Sequence, residues 1–208
     1  MEIRMGLFSG AASYVRYRTG GDIPGNIKDF VLTKLKEFSF REIDPGSLVE
    51  KSAGWISAEN MASAFFDDLH FSKDPYLVIS LRTDVRRIPS LTIKAALLRD
   101  EIKFKEGTGQ ERLRKKDKDM LKEQVWQSLI KKALPTPSVY DVCWNASTGI
   151  VFFFSNSRNA NEDFVSFFYR SFDIKLIPLL PDDPAGTPAN TKDRNIDINN
   201  LAMNFTDG

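Results

Sequence analysis

The sequence predicts an α+β protein in which antiparallel sheets with packed helices are interrupted by a projecting helical hairpin at about residues 89–132. Strand-like segments alternate with helical ones in the first and last thirds of the chain. The middle third holds two helical segments separated by Gly107-Thr108-Gly109. Residues 1–180 are therefore expected to form one α+β region, and the Asp-, Asn-, Pro- and Thr-rich residues 181–208 a poorly ordered tail.

The first third of the chain predicts the order β-α-β-β. Residues 13–18 alternate between apolar and polar positions as a strand does, and the apolar residues after Pro24 have helical spacing. Gly54-Trp55-Ile56 begins a second strand. Tyr76–Leu81 is a continuous apolar run of strand length that follows Pro75.

The middle third predicts two helices. Pro89-Ser90 opens the first, and Gly107-Thr108-Gly109 breaks it. The second runs from about Glu111 to Lys132, before Pro135 and Pro137. The first helix carries two apolar stripes, one made of Leu91, Ala95, Leu98 and Ile102 and the other of Ile93, Leu97 and Phe104.

The last third predicts a β-hairpin, a helix and a final strand. Val139–Trp144 and Ile150–Phe154 flank the turn-rich loop Asn145–Gly149. A helix from about Asn159 to Ser171 precedes a short strand at Ile174–Ile177. The residues expected to form an aromatic core are Trp55, Trp126 and Trp144 together with one layer of Phe152, Phe153, Phe154, Phe164, Phe167 and Phe168.

Composition indicates a soluble intracellular protein. The chain has 208 residues, of which 42% are hydrophobic, so it can bury a substantial core. Cys143 is the only cysteine, which excludes an intramolecular disulfide and favours the reducing cytoplasm. The N-terminal residues lack the apolar region of a signal peptide, and the longest apolar run, Ile150–Phe154, is too short to cross a bilayer.

The small net charge of +1 conceals an uneven distribution of charge. Residues 82–132 contain 15 Lys and Arg against 8 Asp and Glu, whereas the remainder contains 14 against 20. The densest part is residues 112–122, where Asp117 and Asp119 are the only acidic residues. The basic residues there are Arg112, Arg114, Lys115, Lys116, Lys118 and Lys122. Such a distribution bears on binding partners rather than on the fold.

Two interpretations of this basic stretch stay open from spacing alone. Between Leu113 and Met120 the second helix has no apolar residue, so burial cannot stabilise that part and its charges are free to meet a partner. Lysines and arginines on a protruding rod suit phosphate neutralisation. The alternative is a solvated face, in which Asp117 and Asp119 pair locally with the neighbouring lysines.

Several segments, in order and at similar spacing, resemble the bacterial recombination-associated RdgC family. Gly54-Trp55-Ile56 is similar to a GWV motif of that family, and the similarity covers most of residues 50–184. The basic segment and the segment before it match the patterns RKLKKTEKDSLKDEV and LPSPVIKQAL. The residues concerned are Arg82, Ile88-Pro89-Ser90, Ile93-Lys94, Ala96-Leu97, Glu111–Asp119, Leu121–Val125, the hairpin around Gly149, and Leu176–Leu179.

The resemblance implies a DNA-binding protein of the bacterial nucleoid that acts without sequence preference and restrains RecA-driven strand exchange. It also implies a ring-shaped homodimer whose basic central hole surrounds duplex DNA. The residues it assigns to the DNA backbone are Lys94, Arg112, Arg114, Lys115, Lys116, Lys118 and Lys122. Arg86 and Arg87 belong to the same basic region, although the motif match does not reach them.

The sequence differs from the family pattern in two ways that affect whether a closed ring can form. Family members are longer, so the chain is expected to lack a C-terminal portion that helps to close it. Residues Ala133–Pro137 stand where the family has an aromatic segment. An open clamp, a different dimer and a monomer therefore stay open, as does binding to single-stranded DNA.

Some members of the family carry an exonuclease label, so catalytic patterns require a test. Asp84 with Glu101-Ile102-Lys103 resembles the D…E-x-K pattern of metal-dependent nucleases, but that pattern needs a strand and this segment predicts a helix. His70 and Cys143 are each the only residue of their type, which excludes a His/Cys metal site. No P-loop occurs. The sequence thus predicts no catalytic residue, metal or cofactor.

Three functional hypotheses follow. The first is a non-catalytic, sequence-independent binder of double-stranded DNA linked to recombination, located in the cytoplasm at the nucleoid. The second is a metal-dependent DNA exonuclease. The third is a protein-interaction module whose helical hairpin docks an acidic partner.

Overall fold

A computed structural model describes residues 13–21, 25–66, 71–109 and 111–179, and within them the chain is α+β as predicted. Pro24 and the tail at 181–208 lie outside these residues. The elements are β1 (Val15–Gly20), α1 (Ile27–Glu37), β2 (Lys51–Ile56), β3 (Ser72–Lys73), β4 (Tyr76–Arg86), α2 (Ser90–Thr108), α3 (Lys115–Ile130), β5 (Pro135–Asn145), β6 (Ile150–Phe153), α4 (Arg158–Phe172) and β7 (Lys175–Pro178).

The strands form one seven-stranded sheet rather than several. Its order is β2-β4-β5-β6-β1-β7, and β3 pairs with β4. The pairs β1–β6, β1–β7, β3–β4 and β5–β6 are antiparallel. The predicted hairpin is β5–β6, in which Trp144 faces Val151 and Val142 faces Phe153.

Helix α2 ends within the predicted break Gly107-Thr108-Gly109, whereas α3 begins later than the sequence predicts. Helix α2 continues through Gly107 and ends at Gly109, which adopts a left-handed φ of 68° and donates its N–H to the Lys105 carbonyl at 2.9 Å. A glycine lowers helix stability without ending the helix, whereas a left-handed residue ends it. Helix α3 begins at Lys115, after Arg112 and Arg114.

The chain divides into two compact units. Unit 1 takes in residues 1–40, 54–82 and 139–208, and unit 2 takes in residues 41–53 and 83–138. Strands β2, β4 and β5 each contribute residues to both units. The helical hairpin α2–α3 belongs to unit 2, where it connects the end of β4 to the start of β5.

The core of unit 1 is aromatic. Trp55 and Trp144 are fully buried among phenylalanines of α4, and the Trp55 indole N–H donates to Ser171 Oγ at 3.0 Å. Phe153 stacks on Phe164 with ring centroids 4.2 Å apart. The predicted single layer of phenylalanines was wrong, because successive residues of a strand face opposite sides of the sheet. Phe152 and Phe154 pack instead with Val78 and Cys143.

Unit 2 buries much less apolar surface on its helices. Helix α3 buries Leu121, Val125 and Ile130, while α2 has no buried residue. Trp126 is only half-buried, so the predicted core position is wrong for this tryptophan. Apart from the last three turns of α3, the hairpin therefore gains little stability from burial.

The Gly54-Trp55 pair is explained by a close approach of two backbones in unit 1. The Phe40 N–H donates to the Trp55 carbonyl at 2.9 Å, and the Trp55 N–H donates to the Phe38 carbonyl at 3.0 Å. A Cβ atom at Gly54 would lie 2.2 Å from the Phe40 Cα. Only glycine fits where Trp55 enters the core.

Substituting Gly54→Ala should destabilise the protein by about 2–3 kcal/mol, because the added methyl group overlaps backbone atoms that cannot rotate away. Gly25→Ala is the matched control, since its Cβ would meet no atom within 4 Å. The control should change stability by less than about 0.5 kcal/mol in urea unfolding. Equal stability of the two variants would contradict this packing.

Candidate nucleic-acid interface

Five of the basic residues predicted from the sequence lie close together in the chain, at the connection between α2 and α3. Arg112 and Arg114 lie in the connection between the helices, and Lys115, Lys116 and Lys118 lie in the first turn of α3. All five side chains are exposed. We call these residues the basic tip. The prediction that they are exposed on a helical hairpin agrees with the structure.

The predicted DNA-contact residues do not include two basic residues that lie beside the basic tip. Lys103 and Lys105 are exposed near the end of α2, directly before the turn at Gly109. The signal available in the sequence was their position next to the predicted break in the hairpin. They bring further positive charge to the same end of the two helices.

The other predicted residues lie away from the basic tip. Lys94 is exposed near the start of α2, roughly 20 Å along the helix from Gly109 at 1.5 Å per residue. Arg87 is exposed between β4 and α2. Lys122 is exposed two turns into α3, where its Nζ lies 3.9 Å from Asp119 Oδ1. A local pair therefore offsets the charge of Lys122 but not that of the first turn.

The charges on α3 oppose its helix dipole. The first turn carries Lys115, Lys116 and a single acidic residue, Asp117, and the last turn carries no basic residue. The N-cap residue Arg114 makes no side-chain capping bond. Positive side chains near a helix N-terminus destabilise it, because unpaired N–H groups already make that end positive. The same combination of N–H groups and cations attracts anions.

The prediction that Arg86 contacts DNA disagrees with its environment in unit 2. Its side chain is only 3% exposed, and its guanidinium donates to the carbonyls of Ser47 and Asp44, both at 3.0 Å. Its own N–H donates to the Glu50 carbonyl at 2.8 Å. Arg86 therefore holds the segment before β2 against β4, and we assign it a structural role. The sequence could not distinguish it from its exposed neighbour Arg87.

The candidate nuclease residues do not share a face. Glu101 and Lys103 lie on helix α2, where side chains two residues apart point in different directions. Asp84 is buried on β4. Within residues 13–21, 25–66, 71–109 and 111–179, no three His, Cys, Asp or Glu side chains lie close enough together to hold a metal ion. His70 lies outside the described residues.

Cys143 is a core residue of unit 1. It is buried with Val78 and Phe152 on one face of the sheet. Burial raises the pKa of its thiol to about 12, because the apolar surroundings disfavour the thiolate. A thiol held in this form is a poor nucleophile.

A family profile matches most of the chain that carries these features. Residues 14–189 match the family described as "Putative exonuclease, RdgC". This chain belongs to the RdgC family. The match includes the basic hairpin, the Gly54-Trp55 pair, all of unit 2 and most of unit 1.

Curated relatives agree with this assignment. A "Recombination-associated protein RdgC" of Yersinia pestis (strain Pestoides F) is 27% identical over 152 residues. The protein of the same name from Yersinia pseudotuberculosis serotype O:3 (strain YPIII) matches to the same extent. In each case the match covers 73% of this chain and 48% of the relative, so the chain spans about half the length of the curated relatives it matches. Among the described helices, none has the length and apolar character needed to span a bilayer.

The structural role of Arg86 predicts a specific effect of mutation. Arg86→Met should destabilise the protein by about 2 kcal/mol, because it removes two charge-assisted hydrogen bonds to backbone carbonyls. The neighbouring substitution Arg87→Met removes the same charge from an exposed side chain and should leave the free energy of unfolding within about 0.5 kcal/mol of the wild-type value. Urea unfolding followed by circular dichroism measures both. A stable Arg86→Met protein with weakened DNA binding would instead make Arg86 a contact residue.

Proposed function

We propose that this RdgC-family chain binds double-stranded DNA without sequence preference, through contacts from the basic tip to the phosphate backbone. The observation that carries the proposal is the charge at the start of α3. Five exposed cations gather there, of which Lys115 and Lys116 sit at the helix end where positive charge is least favourable. A sequence that opposes its own helix dipole is expected where a function requires the charge.

Lysine and arginine side chains at the tip of a rod suit a phosphate backbone. DNA carries a regular line of negative charge, and each phosphate neutralised by a cation releases condensed counterions into solution. Long, flexible side chains can reach phosphates in any sequence context, because phosphates carry no base information. The uncapped N–H groups at the start of α3 add hydrogen-bond donors for the same anions.

The biological setting that we propose follows from family membership. We infer that the chain acts in recombination in the bacterial cytoplasm, at the nucleoid, and that it restrains RecA-driven strand exchange by occupying duplex DNA. We further propose that it acts as a homodimer. The support is the family match over residues 14–189 and the name that the curated relatives share.

The double substitution Lys115→Glu/Lys116→Glu tests DNA binding. Each lysine that neutralises a phosphate contributes about 0.9 to the slope of log K against log salt, so the variant should flatten that slope by roughly 2. Its affinity at low salt should fall about tenfold or more. Fluorescence anisotropy with two unrelated duplexes of equal length, titrated at several salt concentrations, measures both quantities and sequence preference. In a strand-exchange assay the same variant should lose the inhibition of RecA.

The matched control is Lys36→Glu/Lys175→Glu, which changes the net charge equally at exposed positions outside the hairpin. It should reproduce the wild-type salt slope. An unchanged slope in Lys115→Glu/Lys116→Glu, or equal losses in the two variants, would reject the basic tip as the contact surface. An affinity for an acidic protein equal to that for DNA would favour the protein-interaction alternative.

A further inference from the structure

Strand β7 forms one edge of the sheet in unit 1. It stands last in the strand order, and among the described strands β1 is the one that pairs with it. The backbone N–H and C=O groups that point to the other side of β7 are therefore available to a further strand. At open edges of this kind, extended peptides add to a sheet through main-chain hydrogen bonds.

The pairing with β1 fixes which backbone groups of β7 point outward. Directly after the strand, the Leu179 N–H donates to the Arg16 carbonyl at 2.9 Å. Hydrogen-bonded pairs alternate along an antiparallel ladder, so Ile177 is bonded to β1, whereas Leu176 and Pro178 direct their backbone groups to the open side. Proline has no N–H to donate. The open side thus presents the N–H and C=O of Leu176 and the C=O of Pro178.

The two faces of β7 offer different side chains to a neighbouring strand. Leu176 is buried on one face, whereas Lys175 and Ile177 are exposed on the other, Ile177 by 54%. Both exposed side chains lie beside Gly20 of β1. A Cβ atom at that glycine would lie 3.4 Å from Ile177 Cδ1 and 3.8 Å from the Lys175 Cβ. The exposed face of this edge therefore combines one cation with one aliphatic side chain.

Lys175 and Pro178 limit which strands can pair with this edge. Natural sheets commonly place lysine and proline on open edges, where they prevent unwanted strand pairing. Pro178 shortens the ladder, and Lys175 favours a carboxylate over a basic side chain opposite it. Arg16 is half-buried on the same face of β1 and adds positive charge. An edge of this composition disfavours long or basic strands and suits a short acidic one.

We propose that β7 binds a short, acidic, extended segment of a partner protein as an additional antiparallel strand. The partner residue opposite Leu176 exchanges two main-chain hydrogen bonds with it. The residue after it places a carboxylate opposite Lys175, and the residue before it packs an apolar side chain on Ile177. The recognised segment therefore reads apolar, any residue, acidic. This interaction goes beyond DNA binding and uses a surface outside the hairpin.

A charge swap between the full chain and a peptide tests the side-chain contacts. The probe is an end-blocked, fluorescein-labelled peptide, Gly-Ser-Leu-Thr-Glu-Ser-Gly, titrated by fluorescence anisotropy. Lys175→Glu should weaken its binding at least about tenfold, because it places two carboxylates opposite each other. A peptide with lysine in place of glutamate should show the reverse preference. Lys36→Glu makes the same charge change at an exposed position on α1 and should leave the peptide affinity unchanged.

Methylation of single peptide nitrogens tests the main-chain ladder. In the proposed register the N–H of the central threonine donates to the Leu176 carbonyl, so its N-methylation should weaken binding at least about tenfold. The N–H of the preceding leucine points away from β7. N-methylation there is the matched control and should change the affinity by less than about twofold. Charge attraction without strand pairing would not distinguish the two peptides.

Several results would overturn the proposal. They are a wild-type protein that shows no saturable peptide binding below about 1 mM, equal effects of the two N-methylations, and equal affinities of Lys175→Glu and Lys36→Glu. Displacement of the peptide by a single-stranded oligodeoxynucleotide whose binding also depends on Lys175 would assign the edge to nucleic acid instead. Lys115→Glu/Lys116→Glu should keep wild-type peptide affinity, so failure of this proposal and failure of DNA binding are distinguishable.

Discussion

The aromatic packing between the sheet and α4 organises the core of unit 1. Trp55 and Trp144 meet the phenylalanines of α4 edge-on, and Phe153 stacks on Phe164. This layer holds β5, and β5 is hydrogen-bonded to β4 within the sheet. The hairpin connects these two strands along the chain, and its helix α2 has no buried residue.

A hairpin supported at its base can carry charge that would be unfavourable elsewhere. The start of α3 combines lysines with the positive end of a helix dipole, and only Asp117 lies in the same turn to offset them. Isolated helices of this length are marginal in water, and this charge pattern weakens α3 further. The cost is tolerable because Leu121, Val125 and Ile130 anchor the later turns of the same helix. Anchoring and binding thus occupy different ends of α3.

Periodicity predicted the elements well where apolar residues decide them. The strand at Tyr76, the hairpin around Gly149 and helix α4 all appear close to their predicted places. Strand β3 was missed, since two residues carry no periodic signal, and the start of β5 at Pro135 was taken for the end of a helix. The joining of the strands into one sheet depends on long-range pairing that local spacing does not encode.

The candidate site was predictable in part. Side-chain exposure of the basic tip followed from the absence of apolar residues in the first turn of α3. The burial of Arg86 could not be predicted. Its hydrogen-bond partners are backbone carbonyls of residues about 40 positions away, and the local sequence does not indicate them. The exposure of Leu91 and Leu98 could not be predicted from the sequence either. An apolar stripe looks the same in sequence whether it faces the core of its own chain or the surface of another.

Site-specific photocrosslinking reports whether the basic tip touches DNA. A photoreactive amino acid at position 116, with a second variant carrying it at position 36 on α1 for comparison, can be irradiated with end-labelled duplex DNA at moderate salt. If the basic tip contacts the phosphate backbone, position 116 should crosslink efficiently to either of two unrelated duplexes and position 36 should crosslink little. Equal crosslinking from both positions, or a crosslink from position 36 alone, would contradict it.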